Sequence, residues 1–84
     1  MHYVYIIKSK KDNKLYLGCT SDLRKRLSEH NANKAGYTKF KGPWEVRYYE
    51  AFYSKTDAFS REKQLKKNKS GYRELRKRLE QSLK

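Results

Sequence analysis

The strongest constraint on the fold is a pair of short apolar segments joined by a polar turn, in the stretch YVYIIKSKKDNKLYLGCT. Residues 3–7 and 14–18 contain mostly tyrosine, valine, isoleucine and leucine. The first three of these types are favoured in β-strands. The polar residues between the segments, with Asp12 and Asn13 at the centre, are typical of a turn. The sequence therefore predicts a β-hairpin near the start of the chain.

Period-two alternation sorts the side chains of this hairpin onto two faces. The aliphatic face consists of Val4, Ile6, Leu15 and Leu17. The opposite face carries Tyr5, Tyr16 and Gly18. Any register that pairs the aliphatic residues also brings these tyrosines and the glycine together, so the hairpin is expected to have two chemically different faces.

A helix and a third strand are predicted to follow the hairpin. The helix is expected to begin at an N-cap of Thr20 or Ser21. Its buried stripe would be formed by Leu23, Leu27 and His30. Residues 31–43, rich in glycine, asparagine and lysine, are predicted to form a loop, and residues 44–53 the third strand.

Two further helices complete the predicted fold. Ser54 is expected to cap the first, whose stripe consists of Ala58, Phe59 and Leu65, and Gly71 to end it. The last helix would cover residues 72–84, with Tyr72, Leu75, Leu79 and Leu83 along one face. The prediction is an α+β fold in one domain, residues 1–84, with a three-stranded antiparallel sheet flanked by helices in the order β-β-α-β-α-α.

The charge balance points to a polyanionic partner. Lysine and arginine number 22 against 9 acidic residues, a formal charge of +13, and a small fold carrying that much self-repulsion is best explained by a polyanion. Nucleic acid is the first candidate and an anionic membrane surface the second. No apolar run approaches the roughly 20 residues that span a bilayer, and the first residues lack the apolar segment of a signal peptide. The single cysteine, Cys19, fits a reducing compartment, so a cytoplasmic protein is expected.

Five residues with polar groups occur at or beside positions that the strand and helix patterns predict to be buried. They are Tyr5, Tyr16, Arg26, His30 and Glu62. Each has an ordinary structural explanation, such as tyrosine packing or a histidine near a helix end. Glu62 lies within an apolar stripe, where an unpaired carboxylate is costly. It should therefore face a basic neighbour, a cation or a cleft.

Together these residue types suit phosphodiester hydrolysis. A carboxylate can hold one hydrated Mg²⁺, and an arginine offers a fork of donors to phosphate oxygens. A tyrosine is a poor base alone, but nearby positive charge makes its phenolate more accessible.

The sequence resembles the GIY-YIG nuclease superfamily over roughly residues 3–68. YVY occupies the position of its first triplet and YLG that of its second. The segment GCTSDLRKRLSEHN is similar to its first helix, and PWEVRYYEAF and SREKQLKK to its third strand and glutamate-bearing helix. Tyr3 stands where the first triplet has glycine. Asn68 is the nearest candidate for the asparagine that many members carry after the glutamate.

This resemblance implies a role for each of the five residues. Tyr5 and Tyr16 would be the paired active-site tyrosines, one of them the general base. Arg26 would bind the scissile phosphate, and His30 would hydrogen-bond within the cluster and relay a proton. Glu62 would be the sole protein ligand of one Mg²⁺ or Mn²⁺ ion.

The resulting hypothesis is a metal-dependent DNA endonuclease that acts by in-line attack of water, on structured or damaged DNA in repair or recombination. RNA as a substrate, a partner protein for targeting and the oligomeric state are left open. The rival hypothesis is a nucleic-acid-binding module that is non-catalytic or depends on a partner. A third reading, a membrane-surface helix formed by the tail, is weaker because the tail is needed to cover the sheet.

Nucleic-acid contacts are predicted at one glycine and at basic residues on the first helix, the loop and the last helix. Gly18 is expected to leave room for the substrate. The basic residues are Lys25, Lys39, Lys41, Arg73, Arg76 and Lys77. Tyr37 and Phe40 in the loop would stack on bases.

Overall fold

The computed structural model describes residues 1–84 and has the α+β architecture that the sequence predicts. The elements follow the order β-β-α-β-α-α. Their bounds are β1 (His2–Ser9), β2 (Leu15–Thr20), α1 (Leu23–Asn31), β3 (Trp44–Phe52), α2 (Lys55–Lys67) and α3 (Lys69–Arg78).

The three strands form one antiparallel sheet in the order β2-β1-β3. Because β1 is central, its middle residues, Val4 to Ile7, are buried. The hairpin register places Tyr5 opposite Gly18, Ile6 opposite Leu17 and Ile7 opposite Tyr16. The two predicted faces of the hairpin are thereby confirmed.

The aliphatic face of the sheet packs against α2 and α3. Its core joins strand residues to one or two from each helix, and its members are Val4, Ile6, Leu17, Ala58, Leu65 and Leu75. The predicted stripe of α2 is wrong at Phe59, which is 50% exposed. Ala58 and Leu65 are two helical turns apart and face the sheet, so Phe59, which follows Ala58, points about 100° away from it. The Lys55 ammonium lies 5.3 Å from the Phe59 ring centroid.

The other face of the sheet is covered by α1. Tyr5, Ile7 and Trp44 form a second buried cluster, with Leu23 and Leu27 of the helix packed against it. The tyrosine face is therefore an interior surface over much of its area, and α1 brings its own polar residues to it.

Helix ends differ from the prediction at two places. Asp22, rather than Thr20 or Ser21, caps α1, because its Oδ1 accepts from the Lys25 N–H at 3.0 Å. Thr20 instead accepts from the Asp22 N–H at 3.1 Å and so supports the turn before the cap. The predicted Ser54 cap of α2 is confirmed, with the Asp57 N–H donating to Ser54 Oγ at 3.3 Å.

The junction of α2 and α3 is made by Asn68 and not by Gly71. Asn68 ends α2 and caps α3, where its Oδ1 accepts from the Gly71 N–H at 3.0 Å. Gly71 lies inside α3, and α3 ends at Arg78, short of the predicted residue 84. The predicted tail stripe nevertheless packs on the aliphatic core with Tyr72, Leu75, Leu79 and Leu83. No helix here has the length and apolar character needed to cross a membrane.

Candidate active site

Tyr5 is the centre of the tyrosine face, and Gly18 makes its position possible. A Cβ atom at Gly18 would fall 2.6 Å from Tyr5 Cζ, far inside van der Waals contact. Gly18 was predicted to leave room for substrate, but the Tyr5 side chain fills this space, and Gly18 is itself buried. The requirement for glycine is explained by Tyr5, while contact of Gly18 with nucleic acid stays a prediction.

A chain of buried hydrogen bonds connects Tyr5 to the loop between α1 and β3. The Tyr5 hydroxyl lies 2.8 Å from His30 Nε2, and His30 Nδ1 lies 2.6 Å from Thr38 Oγ1. Tyr5 is 1% exposed, and His30 and Thr38 are fully buried. His30 sits in the last turn of α1, so the helix places the imidazole between strand and loop.

Thr38 is held in place by contacts of its own loop with β3. The Trp44 indole N–H donates to the Thr38 carbonyl at 3.2 Å. Asn31, at the end of α1, accepts from the Trp44 N–H at 2.6 Å and donates to the Trp44 carbonyl at 3.1 Å. Sequence reasoning missed Thr38, because no periodic pattern marks a threonine within an irregular loop.

Arg26 lies on α1, one helical turn before His30. Its guanidinium donates to Glu29 Oε1 at 3.1 Å, and its positive charge acts on Tyr5. Burial raises the pKa of Tyr5 to about 12, and Arg26 opposes part of that rise. Burial and then the charge of Arg26 lower the pKa of His30, so the imidazole is neutral at neutral pH.

Tyr16 occupies the solvent side of the same cluster. Its ring meets His30 edge-on at 5.2 Å between centroids and stacks on Tyr37 at 5.8 Å. Tyr16 is only half-buried, and its hydroxyl makes no hydrogen bond within the protein. Of the two tyrosines, Tyr16 is thus the one that solvent can reach.

Glu62 lies on α2 at the edge of this cluster. Its carboxylate pairs with Lys66 at 3.2 Å, and the same ammonium lies 5.7 Å from the Tyr16 ring centroid. Burial, and then the charge of Glu62, raise the pKa of the Cys19 thiol on β2. The basic neighbour expected for Glu62 is therefore Lys66, which links the carboxylate to Tyr16.

The donor set around Glu62 fits a hydrated ion. No group of three or more histidine, cysteine, aspartate or glutamate side chains converges anywhere in the protein. A single carboxylate such as that of Glu62 is compatible with Mg²⁺, which keeps several waters and needs only one or two carboxylates. The Asn68 side chain is committed to capping α3.

The predicted nucleic-acid-binding lysines and arginines fall into three places. Lys25 lines a surface depression together with Arg26. Lys39 and Lys41 lie over exposed loop aromatics, at 5.2 Å from the Phe40 and 4.0 Å from the Tyr37 ring centroid.

The third place is α3. Arg76 lies 4.8 Å from the Tyr72 ring centroid, and Tyr72 lines a groove that also contains Tyr16 and Tyr37. Arg73 and Lys77 are exposed and make no side-chain hydrogen bond or ion pair. The structure thus brings Lys25 to the cluster and ties Arg76 to its groove, and it leaves Arg73 and Lys77 apart.

Known proteins match this chain in both sequence and structure. The family model described as the GIY-YIG catalytic domain matches residues 1–81. A UPF0213 protein of Staphylococcus haemolyticus (strain JCSC1435) is 48% identical over 66 residues, 77% of this chain and 79% of that protein. One from Streptococcus pyogenes serotype M5 (strain Manfredo) is 45% identical over 74 residues, 87% of this chain and 79% of that protein.

A solved structure adds a match in three dimensions. The solution NMR structure of the UPF0213 protein BH0048 from Bacillus halodurans is 36% identical, with a TM-score of 0.54. The match covers 88% of this chain and 80% of that one. The chain therefore belongs to the GIY-YIG nuclease family, among the small bacterial proteins named UPF0213.

Proposed function

We propose that this protein is a metal-dependent DNA endonuclease that cleaves a phosphodiester bond by in-line attack of water. One observation carries the proposal. Tyr16 and Arg26 lie beside the buried Tyr5–His30 pair, and the carboxylate of Glu62 pairs with Lys66, whose ammonium lies near the Tyr16 ring. Aliphatic packing fills most of the opposite face of the same sheet.

Arg26 is the phosphate-binding group in this proposal. A guanidinium carries five N–H donors in a rigid fork, and only Nη1 is used in the contact with Glu29. That contact orients the side chain and leaves donors free for phosphate oxygens. Lys25 beside it adds positive charge to the same depression.

Tyr16 is the general base. Burial raises the pKa of Tyr5 to about 12, which disfavours the phenolate that a base requires. Tyr16 is half-buried on the solvent side of the cluster, and the Lys66 ammonium lies 5.7 Å from its ring centroid. Tyr5 and His30 would instead hold Arg26 and pass a proton within the buried cluster.

Glu62 holds one Mg²⁺ or Mn²⁺ ion. When bound, such an ion neutralises charge that develops on the phosphate and on the leaving oxygen. Nucleases of this family generally use a divalent metal. Lys66 is half-exposed, so it can leave Glu62 when the ion binds and remain near Tyr16.

DNA binding would use the basic surface around the site. The side chains of Tyr37 and Phe40 are 64% and 69% exposed, each with a lysine ammonium over its ring. Exposed aromatics and cations are the combination that stacks bases and neutralises phosphates. Structured or damaged DNA in repair or recombination is the substrate class that we would test first.

The test is cleavage of labelled duplex, single-stranded and branched DNA, with matching RNA, in the presence of Mg²⁺ or Mn²⁺. Glu62→Ala should lose cleavage by roughly a hundredfold or more, the scale for removing a main electrostatic stabiliser. Glu74→Ala, an exposed glutamate of α3, is the matched control and should cut normally. Failure of the wild type to cut any substrate, or equal cleavage by Glu62→Ala, would overturn the proposal.

A non-catalytic nucleic-acid-binding module is the second candidate, and the Glu62–Lys66 ion pair favours it because Glu62 is already neutralised. This function predicts binding without cleavage. Its apparent affinity should fall as a power of salt concentration, with a slope of about −0.9 for each phosphate contact on duplex DNA. Binding by wild type and Glu62→Ala alike, with no cleavage by either, would select it.

A further inference from the structure

The geometry points to Thr38 as a positioning residue that holds His30 in the tautomer protonated at Nδ1, so that Nε2 accepts the proton of Tyr5. The tautomer itself is independent of any substrate. Its consequence for cleavage rests on the proposed nuclease function.

The direction of the hydrogen-bond chain is set at the Thr38 end. The Thr38 hydroxyl donates its single hydrogen to the Ala35 carbonyl at 3.4 Å. Its oxygen therefore accepts from His30 Nδ1–H at 2.6 Å, and a neutral imidazole that is protonated at Nδ1 accepts at Nε2.

The Tyr5 end of the chain agrees with this direction. The Tyr5 proton needs an acceptor, and His30 Nε2 lies within hydrogen-bond distance of the Tyr5 hydroxyl, at 2.8 Å. The chain ends at the acceptor-only Ala35 carbonyl, so each hydrogen has a partner.

The reverse direction leaves a group unsatisfied. If Thr38 donated to His30 Nδ1, then Nε2–H would donate to the Tyr5 oxygen. The Tyr5 proton would then have no acceptor in the protein, and the Ala35 carbonyl would lose the hydrogen bond from Thr38. Because Tyr5 is 1% exposed, no bulk water is available to accept that proton.

The loop gives Thr38 the rigidity that this role requires. Its backbone carbonyl is tied to the Trp44 indole, and Asn31 ties the backbone of Trp44 to the end of α1. Thr38 and His30 thus belong to one hydrogen-bonded unit that spans the helix, the loop and β3. Through His30, this unit fixes the orientation of the Tyr5 hydroxyl at the centre of the tyrosine face.

The tautomer can be observed directly by long-range ¹H–¹⁵N correlation spectra of imidazole-labelled protein without metal or nucleic acid. The wild type should show His30 with a protonated-type Nδ1 and an unprotonated-type Nε2. His2, half-buried on β1, provides the second histidine signal as an internal comparison. A His30 protonated at Nε2 in the wild type would overturn the inference.

Two substitutions at Thr38 test the cause. Thr38→Val removes the hydroxyl at nearly constant volume and should move His30 toward the Nε2-protonated tautomer. Thr38→Ser retains the hydroxyl and should keep the wild-type tautomer. Thr56→Val, at an exposed threonine of α2, is the control for the substitution itself. An unchanged tautomer in Thr38→Val would overturn the inference, and if that variant does not fold, the wild-type and Thr38→Ser spectra decide.

Cleavage then separates this inference from the proposed function. In an active protein, Thr38→Val should lower kcat roughly 10–100-fold, the range for partners that orient a functional histidine, and Thr38→Ser should restore it. If the tautomers behave as expected but no DNA is cut, the nuclease proposal fails while the positioning role of Thr38 stands. Full cleavage by a Thr38→Val variant with the altered tautomer would overturn the catalytic part of the inference.

Discussion

The two faces of the sheet are built from the same strands but by different rules. On the aliphatic face, Val4, Ile6 and Leu17 meet apolar side chains of α2 and α3, and apolar side chains of similar volume would serve nearly as well. On the tyrosine face, Tyr5 and His30 are equally buried, but each polar atom has one particular partner. Burial therefore provides stability on one face, and on the other it fixes the geometry of polar groups.

The largest expected effect on stability lies on the aliphatic face. Ile6 is fully buried in the centre of β1. Ile6→Ala should lower the free energy of unfolding by about 2–5 kcal/mol, and Ile6→Val by about 0.5–1.5 kcal/mol. Chemical denaturation monitored by circular dichroism measures both. Equal losses for the two variants would show that this face does not behave as a packed core.

Gly18→Ala should have the next largest effect, because the new methyl group would collide with Tyr5. Overpacking of this kind costs about 1–3 kcal/mol. Gly36→Ala is the matched control, since a Cβ there meets nothing within 4 Å. In a Tyr5→Leu background the cost of Gly18→Ala should shrink. A cost that is the same in both backgrounds would contradict the packing of Tyr5 against Gly18.

A smaller effect on stability should appear when the tyrosine face is acidified. Burial, and then Arg26, lower the pKa of folded His30, whereas unfolded histidine titrates near 6.5. The contribution of His30 is therefore fully present above about pH 6.5 and is lost as the pH falls, by at most about 1.4 kcal/mol for each pH unit. Between pH 6.5 and 5.5 the wild type should lose stability more steeply than His30→Gln. His2→Gln should follow the wild type, and identical pH profiles for all three proteins would contradict the prediction.

The faces of the sheet were predictable because they depend on local periodicity. Alternation in the hairpin separates Tyr5 and Gly18 from Val4 and Ile6 whatever the rest of the chain does. Helical spacing likewise placed His30 on the buried side of α1, a placement that the structure confirms. The chemical roles of the site residues remain predictions, because position alone does not test them.

The features that sequence reasoning missed depend on contacts between distant segments. Thr38 reaches His30 only because Trp44 and Asn31 fold the loop back onto the end of α1, and no sequence period encodes that closure. Gly18 was predicted to contact the substrate, because period-two alternation shows on which face of the hairpin Tyr5 lies. It does not show that the Tyr5 ring extends across β2 over Gly18.

Competition between neighbouring candidates explains the errors at the helix ends. Three consecutive polar residues, Thr20 to Asp22, could each have capped α1, and the turn made by Thr20 leaves the role to Asp22. At the other junction, Asn68 ends one helix and begins the next, so Gly71 continues a helix instead of stopping one.

The most direct test of the tyrosine face as a catalytic surface is the single-turnover cleavage rate of Tyr16→Phe at saturating DNA and Mg²⁺. The Tyr16 hydroxyl has no hydrogen-bond partner in the protein, so its removal should leave the midpoint of thermal unfolding nearly unchanged. If Tyr16 is the general base, cleavage should fall by about 10²–10⁴-fold while DNA binding is retained. A Tyr16→Phe variant that cuts DNA at the wild-type rate would contradict the account.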